Sequence, residues 1–201
     1  MTFTSVVHGL LESDARLAPT EAGELHLEET DPSASLKKVI IQLPAQLSSA
    51  SFALDFKIQR SKGKSPACLS EVLNASGPHP LRAACDAVIC LEDGPHTHVI
   101  HIEIKSSKDK RTIGQLRNSR RFTQFLRGLA EEWHGIGGTF SEWFVILLGD
   151  GREPSRKRRT PISKTSYPSS QQPSGSAQNP AIISVRSGER LHLGRLYNSV
   201  K

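Results

Sequence analysis

Between Cys85 and Lys108 the spacing of apolar and polar residues changes twice, and each change marks an element. Cys85-Asp86-Ala87-Val88-Ile89-Cys90-Leu91 is a short apolar run carrying one acid. Glu92-Asp93-Gly94-Pro95 follows as a turn, with Asp-Gly supplying permissive backbone and Pro interrupting the ladder. Beyond it the residues alternate. Ile100, Ile102 and Ile104 fall on one face, and Val99, His101, Glu103 and Lys105 on the other. The pattern predicts a β-hairpin with Asp86 on its first strand and Glu103 and Lys105 on its second.

The same reading extends to the rest of the chain. Phe52, Leu54 and Phe56 alternate within Ser51–Arg60, which predicts a strand pairing with the hairpin. Across Ser106–Arg127 and just beyond, Ile113, Leu116, Phe122, Phe125, Leu126 and Leu129 recur at helical spacing. One face of that helix should pack on the sheet, with Thr112 or Asp109 as its cap. Glu131–Gly138 reads as a loop. Glu142–Leu148 is strongly apolar and reads as a buried crossover strand. Thr4–Leu11 suits a short strand or a helix, and Val39-Ile40-Ile41 is too short to type. Ser61–Pro66 reads as a basic loop, open to a phosphate backbone or simply solvated, and Cys68–Asn74 as a short helix.

From Arg152 to Pro180 no period is visible. A basic cluster precedes a Ser/Pro/Gln/Gly tract, the composition of a flexible insertion, a nucleic-acid arm or a nuclear-import signal. Ala181–Tyr197 then reads as a second hairpin turning at Ser187-Gly188. The expected architecture is α/β: a mixed central sheet flanked by helices, in the order strand, hairpin, helix, strand. Residues 1–50 would be an N-terminal region of the same domain, 51–150 the core, 151–180 the flexible basic segment and 181–201 a C-terminal hairpin.

Composition sharpens this picture. At 201 residues the chain suits one domain with tails. Its hydrophobic content, 36%, is lowered by the polar tract. A formal net charge of +6 and a pI near 9.4 favour a polyanionic partner. Cys68, Cys85 and Cys90 lack C-x-x-C spacing and are expected to be reduced, buried thiols. No apolar run is long enough to span a membrane, and the N-terminus shows no secretion signal, so a cytoplasmic protein, nuclear in a eukaryote, is expected.

Ionisable groups in so apolar a hairpin need partners, because an unpaired buried charge is expensive. Glu103 and Lys105, two residues apart, leave one face of a strand, and Asp86 can face them across the hairpin. Two carboxylates and an ammonium suit a divalent cation beside a phosphate: hard cations take oxygen ligands, and Lys can steady developing charge. The alternative is an edge-strand salt bridge worth about 0–1 kcal/mol. His96, His98 and His101 invite a zinc reading, but His101 has the opposite strand parity and no cysteine lies near in sequence. His101 shares a face with Glu103 and Lys105, as a contact to a metal's water shell or as a bystander. Lys108, Lys110, Arg111, Arg117, Arg120, Arg121 and Arg127 form the densest basic patch, which suits a nucleic-acid backbone or an ordinary solvated helix face. Trp133 is expected to pack at the core or its rim, the other reading being an exposed ring for base stacking.

An acid on one strand, Glu-x-Lys on the next and an amphipathic helix after it together resemble the PD-(D/E)XK nuclease superfamily, over roughly Phe52–Leu148. Cys85 stands where the family's name has Pro. The resemblance implies a restriction endonuclease-like fold and hydrolysis of phosphodiester bonds, most readily in DNA. It implies that Asp86, Glu103 and the carbonyl of Ile104 bind Mg²⁺ or Mn²⁺, that Lys105 positions or activates the attacking water, and that Gln115 points into the site. It also implies a first helix that can lend an acid, for which Glu71 and the acids between Glu21 and Glu29 are candidates. The alternative is a module that keeps the fold without the chemistry. Either could act as a homodimer or as a subunit of a larger complex.

Overall fold

The computed structural model describes residues 1–29, 32–54, 57–60, 63–66, 84–106, 111–149 and 176–193. Helix α1 (Phe3–Leu10) opens at a capping box, in which Thr2 Oγ1 accepts from the Ser5 amide and Ser5 Oγ from the Thr2 amide. Its N-terminus is seated by Glu92, which accepts from the Phe3 amide at 2.7 Å and from the Thr4 hydroxyl. A carboxylate there also meets the positive end of the helix dipole. Strands β1 (Glu24–Glu28) and β2 (Lys38–Gln42) pair antiparallel, which settles the type of the Val39–Ile41 run.

The central sheet has five strands. β3 (Ser48–Phe52), β6 (Ala87–Asp93) and β7 (His96–Lys105) are antiparallel neighbours, and β8 (Thr139–Gly149) and β9 (Ala181–Val185) continue the sheet in parallel. Helix α2 (Arg111–His134) makes the crossover that a parallel β7–β8 pair requires. The β6–β7 turn is tighter than expected. Glu92 and Asp93 stay in the ladder, and Gly94 (φ +60°) with Pro95 makes the whole connection.

Alternation along these strands builds two cores. Val88, Cys90, Val99 and Phe144 point to one side, where Val7 of α1 and Leu116 and Leu126 of α2 cover them. Ile89, Leu91, Ile100, Ile102, Ile104 and Leu147 point to the other, against Leu25, Ile41 and Leu191. The fold is thus α/β with mixed sheets and two flanking helices. Both helices lie on one face of the central sheet, and a three-stranded sheet, made of β1, β2 and β10 (Glu189–His192) in that order, covers the other. Residues before position 50 therefore contribute to both cores.

Several expectations change. The strand expected over Ser51–Arg60 begins at Ser48 and ends at Phe52; β4 (Lys57–Arg60) pairs instead with β5 (Gly63–Pro66), in the stretch expected to be a basic loop. α2 runs on to His134, taking the first four residues of the expected Glu131–Gly138 loop, and turns at Gly135 (φ +63°); residues 135–138 are the loop that remains. Thr112 lies inside its first turn, buried, with its Oγ1 unbonded among the described residues, so it is not the cap; Asp109 lies outside the described residues. Phe125 (59% exposed) is off the packed face, and Trp133 (75% exposed) anchors nothing. The C-terminal pair is no hairpin. A turn at Gly188 (φ +81°) carries the chain from β9 in the central sheet to β10 (Glu189–His192), parallel to β2 in the other sheet. Cys85 and Cys90 are buried free thiols, while Cys68, Cys68–Asn74 and most of Arg152–Pro180 lie outside the described residues. Among the described residues no helix is long and apolar enough to cross a membrane.

Because Leu191 (2% exposed) belongs to the core between the sheets, Leu191→Ala should destabilise the fold by about 2–5 kcal/mol in urea unfolding. A peripheral hairpin would give a change under about 0.5 kcal/mol.

Candidate active site

The β6–β7 register decides where the acids lie. Ala87 pairs with Ile102 and Val88 with His101, so one further step sets Asp86, just before β6, opposite Glu103. The step is tied by the Ile104 amide, which donates to Asp86 Oδ2 at 2.6 Å. The backbone before Asp86 is clamped by α2. Ser119 Oγ accepts from the Cys85 amide at 2.8 Å and donates to the Gln115 carbonyl at 3.0 Å, while Gln115 Nε2 donates to the Ala84 carbonyl at 3.3 Å. Gln115 was expected to point into the site; its amide nitrogen instead holds the segment that carries Asp86. Ser119, one helical turn on from Gln115, was missed because a serine inside a helix carries no signal of its own.

Glu103 is fully buried on the helix-covered face of β7. Lys105 Nζ lies 2.5 Å from its Oε1 as an ion pair, and Oε2 has no hydrogen-bond partner among the described residues. Burial, and then the Asp86 charge, push the Glu103 carboxyl up to about 8, against the opposing pull of Lys105 and the Asp86 backbone. Two acids thus face one ammonium in a water-poor pocket. A carboxylate held by Lys105 at one oxygen and open at the other, beside a second carboxylate, is a hard oxygen donor set, and it fits a divalent cation of the Mg²⁺ or Mn²⁺ type. The Ile104 amide is engaged by Asp86, and its side chain lies in the opposite core, in keeping with strand alternation. Among the described residues no three His, Cys, Asp or Glu side chains converge, so the acid set is a pair.

The expected first-helix acid is not on α1, whose sequence FTSVVHGL has none. Glu24 and Glu28 stand on β1, in the sheet across the other core, where they meet Arg190 and Lys38. Glu71 lies outside the described residues.

His101, two residues before Glu103, is also fully buried and lies flat on Phe144, ring centroids 4.7 Å apart at 6°. An acid oxygen on Glu142 is 3.8 Å from its Nε2, too far for a hydrogen bond, and neither ring nitrogen has a hydrogen-bond partner among the described residues. Burial holds its pKa below the ordinary 6.5, against the opposing pull of Glu142. Burial tends to raise the Glu142 carboxyl, but His101 and Arg120, the latter bonded at 2.7 Å, hold it below its ordinary range. His96 bonds Ser141 Oγ at 2.9 Å, and His98 accepts from Trp143 Nε1 at 3.4 Å.

Of the expected phosphate-binding residues, Arg111, Arg117, Arg120 and Arg121 are exposed on α2. Lys108 and Lys110 lie outside the described residues. Comparison of the chain with protein-family models, curated proteins and solved structures finds no match.

The raised Glu103 value has a thermodynamic consequence. Between its ordinary 4.5 and about 8, the folded chain holds a proton that the unfolded chain releases, so stability falls as pH rises through that window. The depressed His101 works oppositely, removing stability as pH drops below 6.5. Above pH 6.5 the Glu103 contribution is therefore separate from that of His101. The melting temperature of metal-free protein should fall from pH 6.5 to 8.5, and Glu103→Gln should remove most of the fall. Added Mn²⁺ at pH 8.5 should restore the wild type but not the variant. A flat wild-type profile would contradict this account of the pocket.

Proposed function

We propose that the chain is a divalent-metal-dependent nuclease of the PD-(D/E)XK type, with a restriction endonuclease-like fold, that hydrolyses phosphodiester bonds in nucleic acid, DNA first among them. The observation that carries the reading is Glu103: a fully buried carboxylate facing Asp86, with Lys105 on its Oε1 and no hydrogen-bond partner on Oε2 among the described residues. A carboxylate left so in a core needs a compensating cation or a proton. Asp86 and Glu103, with the Ile104 carbonyl, would hold Mg²⁺ or Mn²⁺. When bound, that ion supplies Lewis-acid polarisation of the phosphoryl oxygen and a more acidic water.

The chain's own residues do the rest. Asp86 is presented in a fixed orientation by the Ile104 amide and by the Gln115 and Ser119 clamp. Lys105, partly exposed beside Glu103, places a positive charge and rotatable N–H donors where an incoming oxygen and the developing phosphorane charge need them. The exposed arginines of α2 hold the polyanion against the site. Action as a homodimer or within a larger complex is part of this proposal, since cutting both strands of a duplex commonly calls for two sites.

A second reading rests on the same ion pair: with Lys105 closing on Glu103, the fold can serve as a nucleic-acid-binding module without chemistry. Cutting decides between them. Plasmid or oligonucleotide should be cleaved in Mg²⁺ and not in chelator. Lys105→Ala, Asp86→Asn and Glu103→Gln should each lower the rate about a hundredfold or more, with folding kept. Nucleic-acid binding with no metal-dependent cutting would favour the module.

A further inference from the structure

Away from the acid pair, the second half of α2 and the start of β8 enclose an open cleft of about 440 Å³. Its helical wall carries Arg120, Gln124 and Arg127, a single stripe at i, i+4 and i+7; exposed Arg117 carries that stripe back toward the N-terminus of α2, and exposed Arg121 flanks it. Phe140 lies on the opposite wall, with the Arg127 guanidinium over its ring, 4.3 Å from the centroid. Glu142 also lines the cleft, but Arg120 engages it. Arg127 has no carboxylate partner among the described residues, which leaves its fork of N–H donors for an anion. One turn beyond Arg121 stands Phe125, 59% exposed, on the flank of the ridge away from Arg127, so a strand that touches both must cross the arginines between them.

Cations interleaved with open aromatic and guanidinium planes match the chemistry of a flexible polyanion whose rings are free to stack. A duplex offers the phosphates but keeps its base faces within its own stack. We propose that this stripe and cleft bind a single-stranded polynucleotide, with phosphates on Arg117, Arg121 and Arg127 and bases on Phe125 and the Arg127–Phe140 stack. The proposal rests on the nuclease reading only in making that strand the substrate. Gln115, clamped beside the acid site, and Arg127 are separated by about 18 Å of helix. At about 3.4 Å per stacked nucleotide, that distance is spanned by roughly five nucleotides. Shorter strands cannot occupy both places.

The experiment uses the full chain in chelator, with fluorescence anisotropy of an end-labelled twelve-nucleotide strand, a trinucleotide and the twelve-base-pair duplex. The long strand should bind at least about tenfold tighter than either of the others. Arg127→Gln and Phe125→Ala should each weaken the long strand about fivefold or more, with unchanged melting temperatures confirming the fold. Duplex bound as tightly as single strand, or affinities insensitive to both substitutions, overturns the proposal. Cleavage is read separately, in Mg²⁺. A chain that binds in this pattern but never cuts keeps the cleft assignment and loses the nuclease reading; one that cuts, yet binds all lengths alike, does the reverse.

Discussion

The antiparallel register of β6 on β7 is the constraint on which the site depends. Side chains in a strand alternate strictly, so a slip of one residue would send His101, Glu103 and Lys105 into the core between the sheets and turn three isoleucines toward the helices. Two features hold the register. At one end a two-residue turn at Gly94-Pro95 allows no slack. At the other the Asp86 carboxylate accepts the Ile104 amide, so a residue of the candidate site also locks the ladder. The apolar set on each face does the remaining work, because either slip would strip it from its core.

That arrangement sets stability against chemistry. A carboxylate on a strand covered by α2 loses its hydration, and the nearby Asp86 charge adds repulsion. Lys105 offsets part of this but reaches only one oxygen, from one side. The surrounding sheet, sandwiched between helices and a second sheet, supplies the stability that tolerates such a pocket. Polar residues held against their solvation preference in a rigid frame are what a preorganised site requires. The buried His101 extends the same polar line along β7, toward Glu142 and Arg120.

Helix α2 links the two ends of the functional surface. Near its start Gln115 and Ser119 grip the backbone ahead of Asp86, and farther on its arginines border the cleft beside β8. One rigid element therefore sets the distance between the acid pair and the cationic stripe.

The amino-acid sequence by itself determined what depends on local period. The Ile100-Ile102-Ile104 alternation announced β7 and its two faces, the Leu116–Leu126 spacing announced α2, and together they put Glu103 and Lys105 on one side and Asp86 within reach. It also carried the basic character of α2. What it could not carry was pairing between distant segments. Val39–Ile41 became a strand only through β1 and β10, and Ala181–Val185 and Glu189–His192 parted into different sheets because each found a neighbour more than thirty residues away in sequence. Exposure of Phe125 and Trp133 was likewise hidden, since helical spacing names a face but not which part of it a neighbour covers. Local pattern is written in the chain's own spacing; burial, and the pKa values that follow from it, belong to whatever the rest of the fold brings alongside.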